Sequence, residues 1–172
     1  DIWEMIELSH KGANHGWSVR EGTHPFHPNA EKGPTPFTNP IVEHHHTECR
    51  SITGGYVYQG DKFPELKGAH IFSDYETGKF WSLRADGDTV TEFRELCDTT
   101  LRPVAFAESP AGELIAVDYN GGLYELARNE APGAAAPVPT LDDPATRAAW
   151  RLRHGWTGEA PPLLTDPATR IR

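Results

Sequence analysis

Residues 69–83 read Ala69-His70-Ile71-Phe72-Ser73-Asp74-Tyr75-Glu76-Thr77-Gly78-Lys79-Phe80-Trp81-Ser82-Leu83, and the chain says this phrase twice. About 44 residues later it returns in kind as Glu113-Leu114-Ile115-Ala116-Val117-Asp118-Tyr119-Asn120-Gly121-Gly122-Leu123-Tyr124-Glu125-Leu126. Each copy is an apolar strand, an Asp-Tyr pair, a Gly turn and a second alternating strand. A repeat of about 40–50 residues made of short strands is the signature of β-propeller blades. Two unrelated hairpins that share a Gly turn are the plainer alternative, but the agreement runs through strand, turn and strand in one order.

Outward from the first copy, 51–58 (Ser-Ile-Thr-Gly-Gly-Tyr-Val-Tyr) reads as an inner strand and 68–73 as the second. Residues 79–83 form the third, and 90–96 the outer fourth after the turn Ala85-Asp86-Gly87-Asp88. The second copy supplies strands at 103–107, 113–117 and 123–127, with no fourth after Ala127. A three-stranded last blade suits a ring closed elsewhere, since one propeller blade is commonly completed from the other chain end.

Upstream, 3–8 alternates enough for a strand, while 21–40 is Pro-rich and lacks a hydrophobic period, as loops do. Downstream, 129–140 is dominated by Ala and Pro and reads as linker. Asp143-Pro144-Ala145-Thr146-Arg147 recurs as Asp166-Pro167-Ala168-Thr169-Arg170, and Asp as N-cap before Pro predicts a short helix over 144–154. A weakly ordered extension is the plainer reading of that tail. The expected fold class is therefore all-β, with about two to three four-stranded antiparallel propeller blades in 1–128, then a Pro/Ala-rich linker and short helical tail in 129–172.

The 172 residues include 16 Gly and 15 Pro, which suits short strands joined by many turns. A net charge of −9 argues against a nucleic-acid partner, which needs clustered Lys and Arg. No apolar run approaches the ~18 residues of a membrane span. The chain begins at Asp1 without Met, so a processed or truncated start is expected. Cys49 and Cys97 have no metal-ligand spacing, and a disulfide or two free thiols are both open.

The densest polar cluster is Glu43-His44-His45-His46-Thr47-Glu48-Cys49-Arg50, just ahead of the expected inner strand. Inner strands line a propeller's channel, so this cluster stands at the mouth of an axial site, where His is a natural base or ligand. In an extended segment His44 and His46 would share one face and His45 the other. A zinc site from His44, His46 and Cys49 lacks a fourth ligand. Asp98 and Arg102 precede the next inner strand, where a buried Arg binds a carboxylate or oxyanion, or else an inter-blade acid. Asp74 and Asp118 recur with the repeat, which favours a turn-capping role.

At these residues the chain resembles a known family. Asp1-Ile2-Trp3-Glu4-Met5-Ile6, Lys11-Gly12-Ala13-Asn14-His15-Gly16-Trp17, Ser51-Ile52-Thr53-Gly54-Gly55-Tyr56-Val57-Tyr58 and the first Asp-Tyr phrase resemble the glucose/sorbosone dehydrogenases. That family includes soluble sugar dehydrogenases dependent on pyrroloquinoline quinone (PQQ) and hedgehog-interacting-protein-like propellers. The resemblance covers roughly 1–128 and implies the C-terminal portion of a six-bladed ring. It implies PQQ and calcium in the full-length protein, a sugar or polyol substrate, an electron acceptor such as a cytochrome, and a periplasmic or extracellular location. It places His46 and Arg102 at the cofactor and puts the catalytic His and the calcium-holding carbonyls upstream of Asp1, so the isolated chain is expected to be inactive. Glu76 stands about where the soluble glucose enzymes have a cofactor-binding Lys, Thr100 about where they have a second Arg, and Ala13 at a usual Gly. Those departures keep a second expectation open: a non-catalytic propeller that binds carbohydrate or a protein.

Overall fold

The computed structural model describes residues 1–128. The linker and helix expected over 129–172 lie outside the described residues.

The first Asp-Tyr phrase lies in a four-stranded antiparallel blade. Its strands are β5 (Ile52–Val57), β6 (His70–Asp74), β7 (Lys79–Asp86) and β8 (Thr89–Asp98), in spatial order β5-β6-β7-β8. The second phrase lies in a three-stranded antiparallel sheet of β9 (Pro103–Glu108), β10 (Leu114–Asp118) and β11 (Leu123–Glu125), ordered β9-β10-β11. The innermost strands lie side by side, and the Thr53 hydroxyl donates to the Pro103 carbonyl at 2.8 Å. The order of strands in both sheets is the meander that the repeat predicts.

β6 explains why its sequence is an apolar run rather than an alternation. Ile71 faces the β9–β11 sheet and joins Tyr58, Phe63, Leu66 and Leu114 in one buried cluster. Its neighbour Phe72 points the other way, into a second cluster with Cys49, Trp81 and Leu83. A sheet covered on both faces needs apolar residues at both parities. Each fully buried side chain of this size contributes about 1.5–3 kcal/mol from removed apolar area. Phe80 continues the first face by meeting Phe106 edge-on at 6.0 Å, and Trp81 stacks on Phe72 at 5.4 Å on the second.

The second cluster is closed by a two-stranded sheet, β1 (Trp3–Ile6) paired antiparallel with β4 (Val42–His45), which brings Ile6 and Val42 against it. β4 corrects the sequence reading, which had no strand there. The long segment also holds a small hairpin, β2 (Arg20–Glu21) and β3 (His24–Pro25), within the stretch read as loop. Neither has a hydrophobic period of its own. Pairing with distant residues makes them strands, a non-local effect that local pattern cannot carry.

Gly54 and Gly55 form a bulge in β5, where the register to β6 shifts between Thr53 and Tyr56. A Cβ on Gly55 would overlap the Ile71 carbonyl oxygen, whereas one on Gly54 would meet nothing. Both cysteines are free thiols on opposite faces of the blade. Cys49 sits in the second cluster, and Cys97 lines a cavity of about 120 Å³ with Phe80, Phe106 and Leu114 between the two sheets. Burial pushes the Cys49 thiol well up from its ordinary range and the Cys97 thiol up to about 11.

Candidate functional site at the mouth of the inner strands

The Asp-Tyr turns and the segments leading into β5 and β9 meet at one end of the sheets, and the repeated Asp builds that end. Buried Asp74 accepts four backbone N–H bonds. Arg50 and Ser51 donate to Oδ2 at 2.7 and 2.5 Å, and Glu76 and Thr77 to Oδ1 at 3.0 and 2.7 Å. One carboxylate thereby ties the mouth of the inner strand to the turn that joins β6 and β7. Asp118 does the same with fewer bonds, taking Arg102 N at 2.6 Å and Asn120 N at 3.2 Å. Two N–H groups go elsewhere: that of Leu101, matching Arg50, donates to the Thr99 hydroxyl, and that of Gly121, matching Thr77, donates to the Asp118 main-chain carbonyl. The capping role expected of Asp74 and Asp118 is what the structure shows.

This device sets the tyrosines. Tyr75 N donates to the Ser51 carbonyl and Tyr119 N to the Arg102 carbonyl, both at 2.9 Å. The two rings meet edge-on at 5.8 Å, with Tyr119 65% exposed. Arg102 lies over the Tyr75 face, its Cζ 5.5 Å from the ring centroid, a cation–π contact worth about 0.5–1 kcal/mol at an exposed site. Arg102 is exposed rather than buried, and its guanidinium has no carboxylate partner among the described residues. The sequence reading missed Tyr75 and Tyr119 as site residues; only their recurrence with the Asp signalled them.

His46 sits at the same end but leaves the face of His44. β4 stops at His45, and a turn closed by Glu48 N to the His45 carbonyl carries His46 away from the strand. His46 Nε2 donates to Glu4 Oε1 at 3.2 Å, while Glu4 Oε2 accepts from Ile52 N at 2.8 Å. Glu4 therefore couples β1, His46 and the first residue of β5. With Nε2 so engaged, Nδ1 is the basic nitrogen of a neutral His46 ring. His46 and Arg102 stand at the mouths of adjacent inner strands, and no hydrogen bond joins them.

The other two histidines are structural. His44 is buried, donates from Nδ1 to Glu48 Oε2 at 2.9 Å and packs among Phe72, Trp81 and Phe93. His45 meets Trp3 edge-on, and burial, with His46 and His24 nearby, holds its pKa below the ordinary imidazole value. His44, His46 and Cys49 thus diverge, and among the described residues no group of three or more His, Cys, Asp and Glu fits a metal ion. Asp98 ends β8 on the exposed side and lies 3.9 Å from Lys79, whose buried ammonium bonds Glu95 at 2.7 Å. That makes Asp98 an edge-strand partner rather than a member of this site.

Comparison with known proteins gives the fold a wider frame. No protein-family model matches the chain. The HIPL1 protein of Arabidopsis thaliana is 27% identical over 153 residues, covering 75% of this chain and 22% of that protein. Among solved structures, a glucose dehydrogenase superposes with a TM-score of 0.54 at 18% identity, over 74% of this chain and 39% of that one. The soluble aldose sugar dehydrogenase of Escherichia coli, in its apo-form, gives 0.53 at 20% identity, over 72% and 37%. The chain spans about a fifth of the curated relative and under half of either solved structure. Among the described residues no helix is long and apolar enough to cross a membrane. These likenesses and the meander of the two sheets agree on the fold: the described residues are blades of an all-β propeller of the kind seen in the sugar dehydrogenases.

Proposed function

We propose that this chain is the C-terminal part of a PQQ-dependent sugar or polyol dehydrogenase-like propeller, with 1–128 contributing the last blades and one side of the cofactor site. The observation that carries this reading is Arg102. In a chain of net charge −9 its guanidinium is exposed, free of any acid among the described residues, and steadied over Tyr75 where the inner strands begin. That fits an anionic planar ligand, because a guanidinium offers a rigid fork of donors to carboxylates or quinone oxygens.

When bound, PQQ supplies a two-electron acceptor for hydride from the sugar carbon. Arg102 would hold its anionic edge, and Tyr75 keeps the guanidinium in place. His46, positioned by Glu4, keeps a proton on Nε2 and borders the same mouth. Calcium and the catalytic base come, in this reading, from other blades. A periplasmic or extracellular location and an acceptor such as a cytochrome follow from the same reading.

Glu76 favours a second reading. It is exposed and follows Tyr75 directly, so a carboxylate stands in the turn beside the cation. A non-catalytic propeller that binds carbohydrate or protein tolerates that charge better than a quinone site does. The test is reconstitution of the intact protein with PQQ and calcium, followed by dye reduction with a panel of aldoses and polyols. Turnover that falls in Arg102→Gln supports the dehydrogenase. A folded, reconstituted sample that binds sugar without turnover transfers the case to the binder.

A further inference from the structure

The described residues contain six arginines, and four of them are tied down. Arg20 donates to Asn39 and the Thr38 carbonyl. Arg84 and Arg94 pair with Glu92, and Arg128 with Glu65. The remaining two, Arg50 and Arg102, have no side-chain hydrogen bond or ion pair among the described residues, and both are exposed. They stand at the same end of adjacent inner strands. The Arg50 amide is clamped by Asp74, the next residue's carbonyl receives Tyr75 N, and the Tyr75 ring lies under Arg102.

Among the described residues Arg84, Arg94 and Arg128 find carboxylates and Arg20 finds amide and carbonyl oxygens; leaving two unpaired at neighbouring strand mouths concentrates donors that an external acceptor can satisfy. We propose that Arg50 is a second anion-binding residue of the site, acting with Arg102 on a planar ligand that carries at least two carboxylate or quinone oxygens. Arg50 and Arg102 grip separate acceptor groups, and the exposed face of Tyr119 offers an aromatic surface beside them. Arg50 then supplies a second cation at a ring end where positions 76 and 100 hold Glu and Thr. This inference rests on the proposed dehydrogenase reading and adds a residue that the resemblance does not supply.

The test is binding rather than turnover. In the intact protein with calcium present, PQQ is titrated against intrinsic fluorescence in wild type, Arg50→Gln, Arg102→Gln and the double variant. Each single variant is expected to weaken binding about tenfold, the double variant more than either, and Arg50→Lys to fall between wild type and Arg50→Gln because it keeps charge but not the fork. Because the Arg50 side chain has no partner within the described residues, thermal melting of Arg50→Gln should match wild type, which separates lost binding from lost folding. Unchanged affinity in Arg50→Gln beside weakened Arg102→Gln overturns this inference and leaves the dehydrogenase reading standing. No binding by folded wild type overturns both.

Discussion

Replacing Asp74 by Asn tests the physical account of the repeat directly. The carboxylate takes two N–H groups on each oxygen. An amide keeps one acceptor oxygen and turns the other position into a donor, so two buried N–H groups lose their partner and face an N–H₂. Bonds to a charged acceptor are each worth about 1.5–3 kcal/mol, so the loss is about 3–6 kcal/mol. That is a large part of a typical domain stability of about 5–15 kcal/mol. Asp118 carries one such bond on each oxygen, so Asp118→Asn should cost about half as much. Urea unfolding of the intact protein, followed by tryptophan fluorescence, reads the difference. With a slope near 2 kcal/mol per M, the midpoint should drop by roughly 1.5–3 M for Asp74→Asn and roughly 0.7–1.5 M for Asp118→Asn. Equal shifts, or a larger one for Asp118→Asn, would refute the claim that bond count at the repeated Asp sets its weight.

Three further substitutions probe the blade and its neighbour. Gly55→Ala should destabilise by more than 1 kcal/mol, because its Cβ overlaps the Ile71 carbonyl, while Gly54→Ala should stay within about 0.5 kcal/mol; thermal melts of the pair give the contrast. Tyr58 donates to Glu113 Oε2 at 2.6 Å, and burial together with that bond pushes its pKa up to about 12. The unfolded chain then loses the phenolic proton first, near pH 10, so this contribution is intact below that pH and is lost as pH rises toward 12. Tyr58→Phe should remove that part of the alkaline destabilisation, visible as a flatter stability profile from pH 10 to 12. A profile identical to wild type contradicts the assignment.

The blades were legible because they are local. β6 and β7 are neighbours in sequence, so Ile71, Phe72, Phe80 and Trp81 announce both strands and the turn between them without help from elsewhere. β4 was illegible for the opposite reason. Val42-Glu43-His44-His45 has one aliphatic residue, and it is a strand only because Trp3–Ile6 pairs with it from across a long loop. His44 is buried only because Phe72, Trp81 and Phe93 of the neighbouring blade receive it. The site divides the same way. Arg102 was readable from its place before an inner strand, but its contact with Tyr75 and the bracing of His46 by Glu4 join residues 27 and 42 positions apart. Pattern at short range does not carry such pairs.

The acidity of the chain bears on its ligand less than it first suggests. A net charge of −9 weighs against a polyanion that must lie along a wide surface, because such binding sums many phosphate contacts. A small anion at the strand mouths samples a much shorter range, since at physiological salt the field of exposed charges fades over about 8 Å. The exposed charged side chains at and next to these strand mouths include Arg50, Arg102 and Glu76, with Asp98 exposed at the end of β8. The same carboxylates that make the chain acidic are spent elsewhere: Asp74 and Asp118 on backbone N–H groups, Glu4 on His46 and Ile52, Glu48 on His44. Acid groups used to build the mouth therefore do not neutralise it, and the guanidiniums they position stay open to a ligand.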